Sequence, residues 1–130
     1  MHIVESFDRA VWSWRDVVRD LEKTRRNNDI AAKRSFEHMH EIARHCIHSS
    51  EMLATAIAVT KAVTKGARVH PSQAHGQDQA CTKILDDLEF CTPLLTSSHN
   101  RSQALERRLD NEINLVSRPG MAPRYMFRLH

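Results

Sequence analysis

Apolar residues recur every three or four positions along most of the chain, the spacing that lines one face of an α-helix. The first such stripe lies within residues 6–26 and consists of Phe7, Val11, Trp14, Val18 and Leu21. Ser6 is the predicted N-cap, and Asp8 in the first turn suits the positive end of the helix dipole. The polar cluster Asn27–Asn28–Asp29 predicts the end of this helix, with Asp29 capping the next one.

The second predicted helix is long, from Ile30 to about Lys65. Its stripe repeats every seven residues, as in a coiled coil, and is built from small and medium side chains. The stripe consists of Met39, Ala43, Cys46, Ser50, Leu53, Ile57 and Thr60. Ser49–Ser50 is a candidate kink in this helix. Glycine and proline mark residues 66–77 as a loop.

Two further helices are predicted, from about Asp78 to Thr92 and from about Ser98 to Val116. Pro93 separates them, because a proline inside a helix lacks the amide hydrogen and must kink the helix or start a new turn. Their stripes are Cys81, Ile84, Leu88, Cys91 and Leu95, followed by Leu105, Leu109, Ile113 and Val116. Alternating strand patterns and hairpin-turn signals are nearly absent.

One-sided apolar faces must be buried against one another, so the sequence predicts an all-α fold. The expected architecture is an antiparallel helical bundle of about four helices with one long central helix. A single helical domain would span residues 1–116, with its loop at about 66–77. Residues 117–130 show no period and are predicted to form an irregular basic tail.

The net charge of +3 is concentrated in the tail. Residues 1–116 contain 16 Lys and Arg and 16 Asp and Glu, so the excess comes from Arg118, Arg124 and Arg128. Nucleic-acid binding needs a sustained basic stripe, so no nucleic-acid partner is expected. The apolar run 52–59 is far shorter than the ~20 residues of a membrane span. The segment MHIVESFDRA does not resemble a signal peptide, which favours a reducing, cytoplasmic location, with any membrane association made through a partner.

A histidine-rich stripe on the second helix is the main candidate for chemistry. His38, Glu41, His45 and His48 share one side of the helix and could hold Zn²⁺ or another divalent ion. The competing interpretation, solvated histidines with Glu41 beside His45, is favoured because no other helix offers a matching set of ligands. Zn²⁺ titration that gives no heat and no change in melting temperature would dispose of the metal hypothesis.

No set of catalytic residues is recognisable. Cys46, Cys81 and Cys91 lie on apolar stripes and are predicted to be inert core residues. Trp12 and Trp14 are likewise assigned to the core rather than to a partner-binding surface. Phosphate-binding loops and the motifs GxSxG and HExxH are missing from the sequence. We therefore expect no enzyme activity, no catalytic residue and no cofactor.

Three segments resemble the soluble helical region of fungal CorA-like membrane proteins, which are similar to magnesium transporters. They are FDRAVWSWRDVVRDLE (7–22), IARHCIHSSEMLATA (42–56) and RSQALERRLDNEINL (101–115). The resemblance implies a last helix that leads to two membrane helices, with a pore near a Gly-Met-Asn motif. After Val116 the chain departs from this pattern, and Gly120–Met121 is followed by alanine. No transport residue is therefore transferred, and the departure is typical of a truncated or re-framed product or of a short paralogue.

The leading functional hypothesis is a non-enzymatic helical interaction or regulatory module, a free-standing version of the cytosolic part of a CorA-like protein. Its partner would be a second copy, giving a homo-oligomer, or a membrane-protein relative, with no direct membrane span of its own. The alternatives are a divalent-metal-binding helical protein that uses the His/Glu stripe and a truncated product of a membrane transporter-like gene.

Overall fold

The computed structural model describes residues 2–69 and 78–118, and the elements within these ranges are all α-helices. They are α1 (His2–Asn27), α2 (Asp29–Arg34), α3 (Phe36–Val69) and α4 (Asp78–Ser117). The all-α prediction is confirmed. The predicted loop begins later than expected, because α3 continues to Val69. The remainder of that loop and residues 119–130 of the predicted tail lie outside the described residues.

Two helix boundaries predicted from the sequence are wrong. The second predicted helix divides at Ser35, whose amide donates to the carbonyl oxygens of Ala31 and Ala32 and closes α2. The third and fourth predicted helices form one helix, α4, which runs for 40 residues through Pro93. A proline inside a helix costs about 3 kcal/mol. Packing of α4 on α3 along both sides of Pro93 offsets this cost.

The predicted caps are also wrong. α1 begins at His2, and the Ser6 hydroxyl donates to the His2 carbonyl oxygen at 2.9 Å, one turn inside the helix. Asn28, which has extended backbone angles, caps α2 in place of Asp29. Its Oδ1 accepts from the amides of Ile30 and Ala31 at 3.0 and 3.1 Å. The cap falls on Asn28 because it is the one residue left between the two helices.

The three long helices pack as a bundle with alternating directions. α3 and α4 are antiparallel, since Cys46 lies beside Ser102 and Arg68 pairs with Glu89. α1 lies in the groove between them, antiparallel to α3. The core where the helices meet includes Val11, Val18, Leu21, Met39, Ile42, Cys46, Leu53, Leu95, Leu105 and Leu109. Buried Ser50, Ser98 and Ser102 add small side chains to this core.

Three arginine–carboxylate pairs join α1 to α4, and we call them the arginine ladder. In order along both helices they are Asp8–Arg101, Glu22–Arg108 and Arg25–Glu112. Arg108 donates to both carboxylate oxygens of Glu22, at 2.9 and 2.7 Å. Arg25 does the same for Glu112, which is only 4% exposed. Because the partners follow the same order on both helices, the ladder makes α1 and α4 parallel and fixes their register.

We expect Arg25→Met to lower the free energy of unfolding by about 3 kcal/mol, because it would leave the Glu112 carboxylate buried without its cation. Lys23→Met, at an exposed position of the same helix, is the matched control and should change stability by less than about 0.5 kcal/mol. Urea denaturation measures both values. Equally small losses in the two variants would contradict a stabilising role for the ladder.

The ladder also predicts a loss of stability in acid. Hydrogen bonds from Arg108 lower the pKa of Glu22 below its ordinary value of 4.5, although burial of the carboxylate opposes the shift. Because this pKa is lower in the folded chain, the unfolded chain takes up the proton first as pH falls. The stabilisation is therefore present above pH 4.5 and is lost as pH falls from there through the folded pKa.

Glu22→Gln tests this dependence. The variant should melt below the wild type at neutral pH, and the difference in melting temperature should shrink as the pH falls below 4.5. Calorimetry or circular dichroism across this range provides the measurement. A difference that stayed constant with pH would show that Glu22 does not supply this part of the stability.

Candidate interaction surface of the α3–α4 hairpin

The hairpin formed by α3 and α4 extends beyond the end of α1. The Trp14 ring stacks on His45, with ring centroids 5.3 Å apart, and Asp8 contacts Ser98 and Arg101. Counting back along α1 from these contacts places His2 beside about residue 57 of α3 and about residue 94 of α4. Residues 57–69 and 78–93, which we call the distal hairpin, therefore pack as two helices without α1. Their length is about 20 Å.

The side of the hairpin that α1 covers remains apolar beyond the end of α1. Val59 and Val63 follow His45 by 14 and 18 residues, close to whole numbers of helical turns, so all three face the same side. Phe90 and Leu94 precede Arg108 and Glu112 by 18 residues each, and these two residues contact α1. The four apolar side chains therefore continue the surface on which α1 lies.

These four side chains, Val59, Val63, Phe90 and Leu94, form what we call the distal apolar surface. Their exposures are 56%, 50%, 60% and 40%. Soluble monomers rarely leave large apolar side chains grouped in this way, and such groups mark interaction sites. On α3 this side also carries the small side chain of Ala56, which follows His45 by 11 residues, about three helical turns. Another helix could therefore approach α3 closely.

The N-terminal stripe of α4 is not core, in contrast to the sequence prediction. Cys81 and Ile84 are exposed, while Leu88 and Cys91 are partly buried. Full burial begins at Leu95, which is 4% exposed, at the level where α1 begins. The periodicity identified the apolar face correctly but did not show that, among the described helices, no third helix packs along this part of α4.

The cysteines differ in environment, although all three were predicted to be inert core residues. Cys46 is buried, and this burial raises the pKa of its thiol to about 11, with a smaller contribution from the negative charge of Glu106. Cys91 is partly buried. Cys81 is exposed, so its assignment to the core is wrong.

The histidine stripe is dispersed rather than gathered. His38 and Glu41 are exposed, with Nδ1 and Oε2 3.8 Å apart, whereas the His45 ring is engaged by Trp14. His48 is exposed. Within residues 2–69 and 78–118, no three His, Cys, Asp or Glu side chains are grouped so that they could hold a metal ion. Metal binding at this stripe stays a prediction.

The two tryptophans have different roles. Trp14 is partly buried and packs against the core, as predicted. Trp12 is 40% exposed, and the guanidinium groups of Arg15 and Arg101 lie 4.7 and 5.3 Å from its ring centroid. Its indole N–H donates to Asp8 at 3.2 Å. The assignment of Trp12 to the core is therefore wrong, and the ring instead covers the first pair of the arginine ladder.

Comparisons with known proteins do not identify a family for this chain, so the candidate surface is described from its geometry alone. No protein-family model, curated protein or solved structure matches the chain. Among the four described helices, none combines the length and the apolar character needed to cross a membrane.

We expect the thiol of Cys81 to react rapidly with a disulfide reagent in the folded protein, because it is exposed. Cys46 should react only on unfolding, because its thiol is buried and its pKa is about 11. Time-resolved labelling followed by peptide mass spectrometry assigns each rate, and Cys81→Ser should remove the fast reaction. Fast labelling of Cys46 in the folded chain would contradict its buried position.

Proposed function

We propose that this protein is a non-enzymatic helical interaction module. Its three-helix base, formed by α1 with the proximal parts of α3 and α4, holds the distal hairpin in place. The distal hairpin receives an amphipathic helix from another protein on the distal apolar surface. The observation that carries the proposal is the exposure of Val59, Val63, Phe90 and Leu94 on one side of this hairpin.

Continuity with α1 defines the chemistry of the partner. α1 shows that this side of the hairpin binds an amphipathic helix, because Val11, Val18 and Leu21 of α1 are buried there. A partner helix that continued the path of α1 would place apolar residues at intervals of three and four over the distal surface. Recognition of this kind is the helix-in-groove mode, in which apolar anchors at helical spacing supply most of the contact.

The resemblance to CorA-like proteins suggests one kind of partner that could supply such a helix. A membrane-protein relative with long cytosolic helices would make the module a regulatory subunit, and this relationship stays a prediction. Co-purification with detergent-solubilised membranes is its direct test, and absence of the protein from every membrane fraction would rule it out.

We expect the distal surface to bind a fluorescent designed peptide of about five helical turns, with leucine at helical spacing and lysine and glutamate elsewhere. The double variant Val63→Glu/Phe90→Glu should lose this binding, since it places two charges on the surface. Ile30→Glu is the matched control, because Ile30 is 65% exposed and lies outside the hairpin. Fluorescence anisotropy measures the affinity, and circular dichroism checks that each variant folds.

Two results would contradict this proposal. The first is the absence of peptide binding to the wild-type chain. The second is equal affinity for the wild type and for a folded Val63→Glu/Phe90→Glu variant, which would place the peptide elsewhere on the protein.

A further inference from the structure

The side of the hairpin that faces away from α1 carries two grooves between α3 and α4. The distal groove has a volume of about 500 Å³ and contains three cations, Lys61, Lys65 and Arg68, with one carboxylate, Glu89. The proximal groove has a volume of about 290 Å³ and contains the carboxylates of Glu106 and Asp110, with one cation, Arg107. The distal groove is therefore net positive and the proximal groove net negative.

Both grooves face the same direction. Ala43 and Lys61 are 18 residues apart on α3, as are Thr92 and Asp110 on α4. Eighteen residues make five full turns, so the members of each pair point to the same side of their helix, about 27 Å apart. The hairpin thus presents a net positive groove and a net negative groove at a fixed separation on the side that α1 does not cover.

Charged side chains that form no ion pair with a described residue lie in both grooves. In the proximal groove, Oε1 of Glu106 is buried and has no hydrogen-bond partner in the described part of the chain. Beside it, the apolar side chain of Ile47 is 47% exposed. In the distal groove, Lys61 and Lys65 are exposed and form no ion pair with a described residue. Because Oε1 of Glu106 has no accessible surface, an external cation would approach the proximal groove through Asp110, which is exposed.

We propose that this side binds a second copy of the chain, antiparallel and related by a two-fold axis. The distal groove of each copy then covers the proximal groove of the other. Lys61 and Lys65 of one copy meet Glu106 and Asp110 of the second copy, and the same contact forms twice. Ala54 lies midway between the two levels and is exposed, so the helices can approach closely at the axis. The four helices of the two hairpins form a bundle.

Self-complementarity is the reason for choosing a second copy as the partner. A two-fold rotation places the positive groove of one copy over the negative groove of the other, so a single face is complementary to itself. The same contact covers the exposed side chain of Ile47. The dimer does not depend on the proposed function, because the distal apolar surface lies on the opposite side of the hairpin. The two proposals therefore fail independently.

A charge swap tests the dimer. Lys61→Glu/Lys65→Glu and Glu106→Gln/Asp110→Lys should each weaken self-association by about tenfold or more, because like charges would face each other twice. An equimolar mixture of the two variants should recover association, because both contacts in the mixed pair are again attractive. Sedimentation equilibrium from micromolar to millimolar concentration measures the mass against 15.0 kDa for one chain. Association of the wild type should weaken as salt is added.

Two controls separate this contact from other effects. Lys23→Glu/Lys33→Glu makes the same charge change at exposed positions outside the grooves and should leave the dimer intact. Val63→Glu/Phe90→Glu should also dimerise like the wild type. If a double swap fails to fold, Lys61→Glu and Asp110→Lys, both at exposed positions, provide the same mixing experiment.

Three outcomes would overturn the proposal. They are a wild type that stays monomeric at every concentration, folded swap variants that dimerise as well as the wild type, and folded swap variants that remain monomeric when mixed. Loss of the dimer in Val63→Glu/Phe90→Glu alone would assign self-association to the distal apolar surface and would equally contradict the back-to-back arrangement.

Discussion

The position of α1 along the hairpin depends on the arginine ladder. Apolar contacts alone would allow α1 to lie further along the groove, because α3 and α4 offer Val59, Val63, Phe90 and Leu94 beyond its present end. Charged pairs are more demanding, since a buried carboxylate such as Glu112 loses its partner when the register changes. The ladder therefore keeps α1 at the base of the hairpin. The exposed apolar surface at the other end is a direct result of that constraint.

The hairpin itself is held by a different kind of contact. Small side chains, including Cys46, Ser50, Ser98 and Ser102, are buried where α3 and α4 meet. They allow close packing of the two helices, which persists through Pro93. The contact between α3 and α4 thus combines small buried side chains with the Arg68–Glu89 ion pair in the distal hairpin.

The fold class could be predicted from periodicity, because the spacing of apolar residues within each helix identifies its apolar face. The stripe of α1 was assigned correctly for this reason, and Val11, Val18 and Leu21 are buried. Periodicity does not show which other helix covers a face, so Cys81 and Ile84 were assigned to a core that does not reach them. Pro93 was assigned to a boundary because local sequence does not reveal the packing that carries α4 through it.

The candidate surfaces could be identified only from the structure, because they depend on which helices pack against each other. Asp8 and Arg101 are 93 residues apart, and no local pattern pairs them. The five-turn separation of the charged grooves could have been read along each helix, but their placement on one side of the hairpin required the pairing of α3 with α4. The histidine stripe shows the opposite case, since a correct helical spacing gave no information about Trp14, which lies against His45.

Pro93 lies at about the level where α1 begins. The distal hairpin and the three-helix base are therefore expected to differ in the free energy of local opening. The proline cannot donate a backbone hydrogen bond, so α4 has a weaker link where the three-helix base gives way to two helices. Opening that starts at the far end of the hairpin can therefore stop at this point while the base remains folded. A partner that covers the distal helices would suppress such partial opening, so slower amide hydrogen exchange there would report its binding.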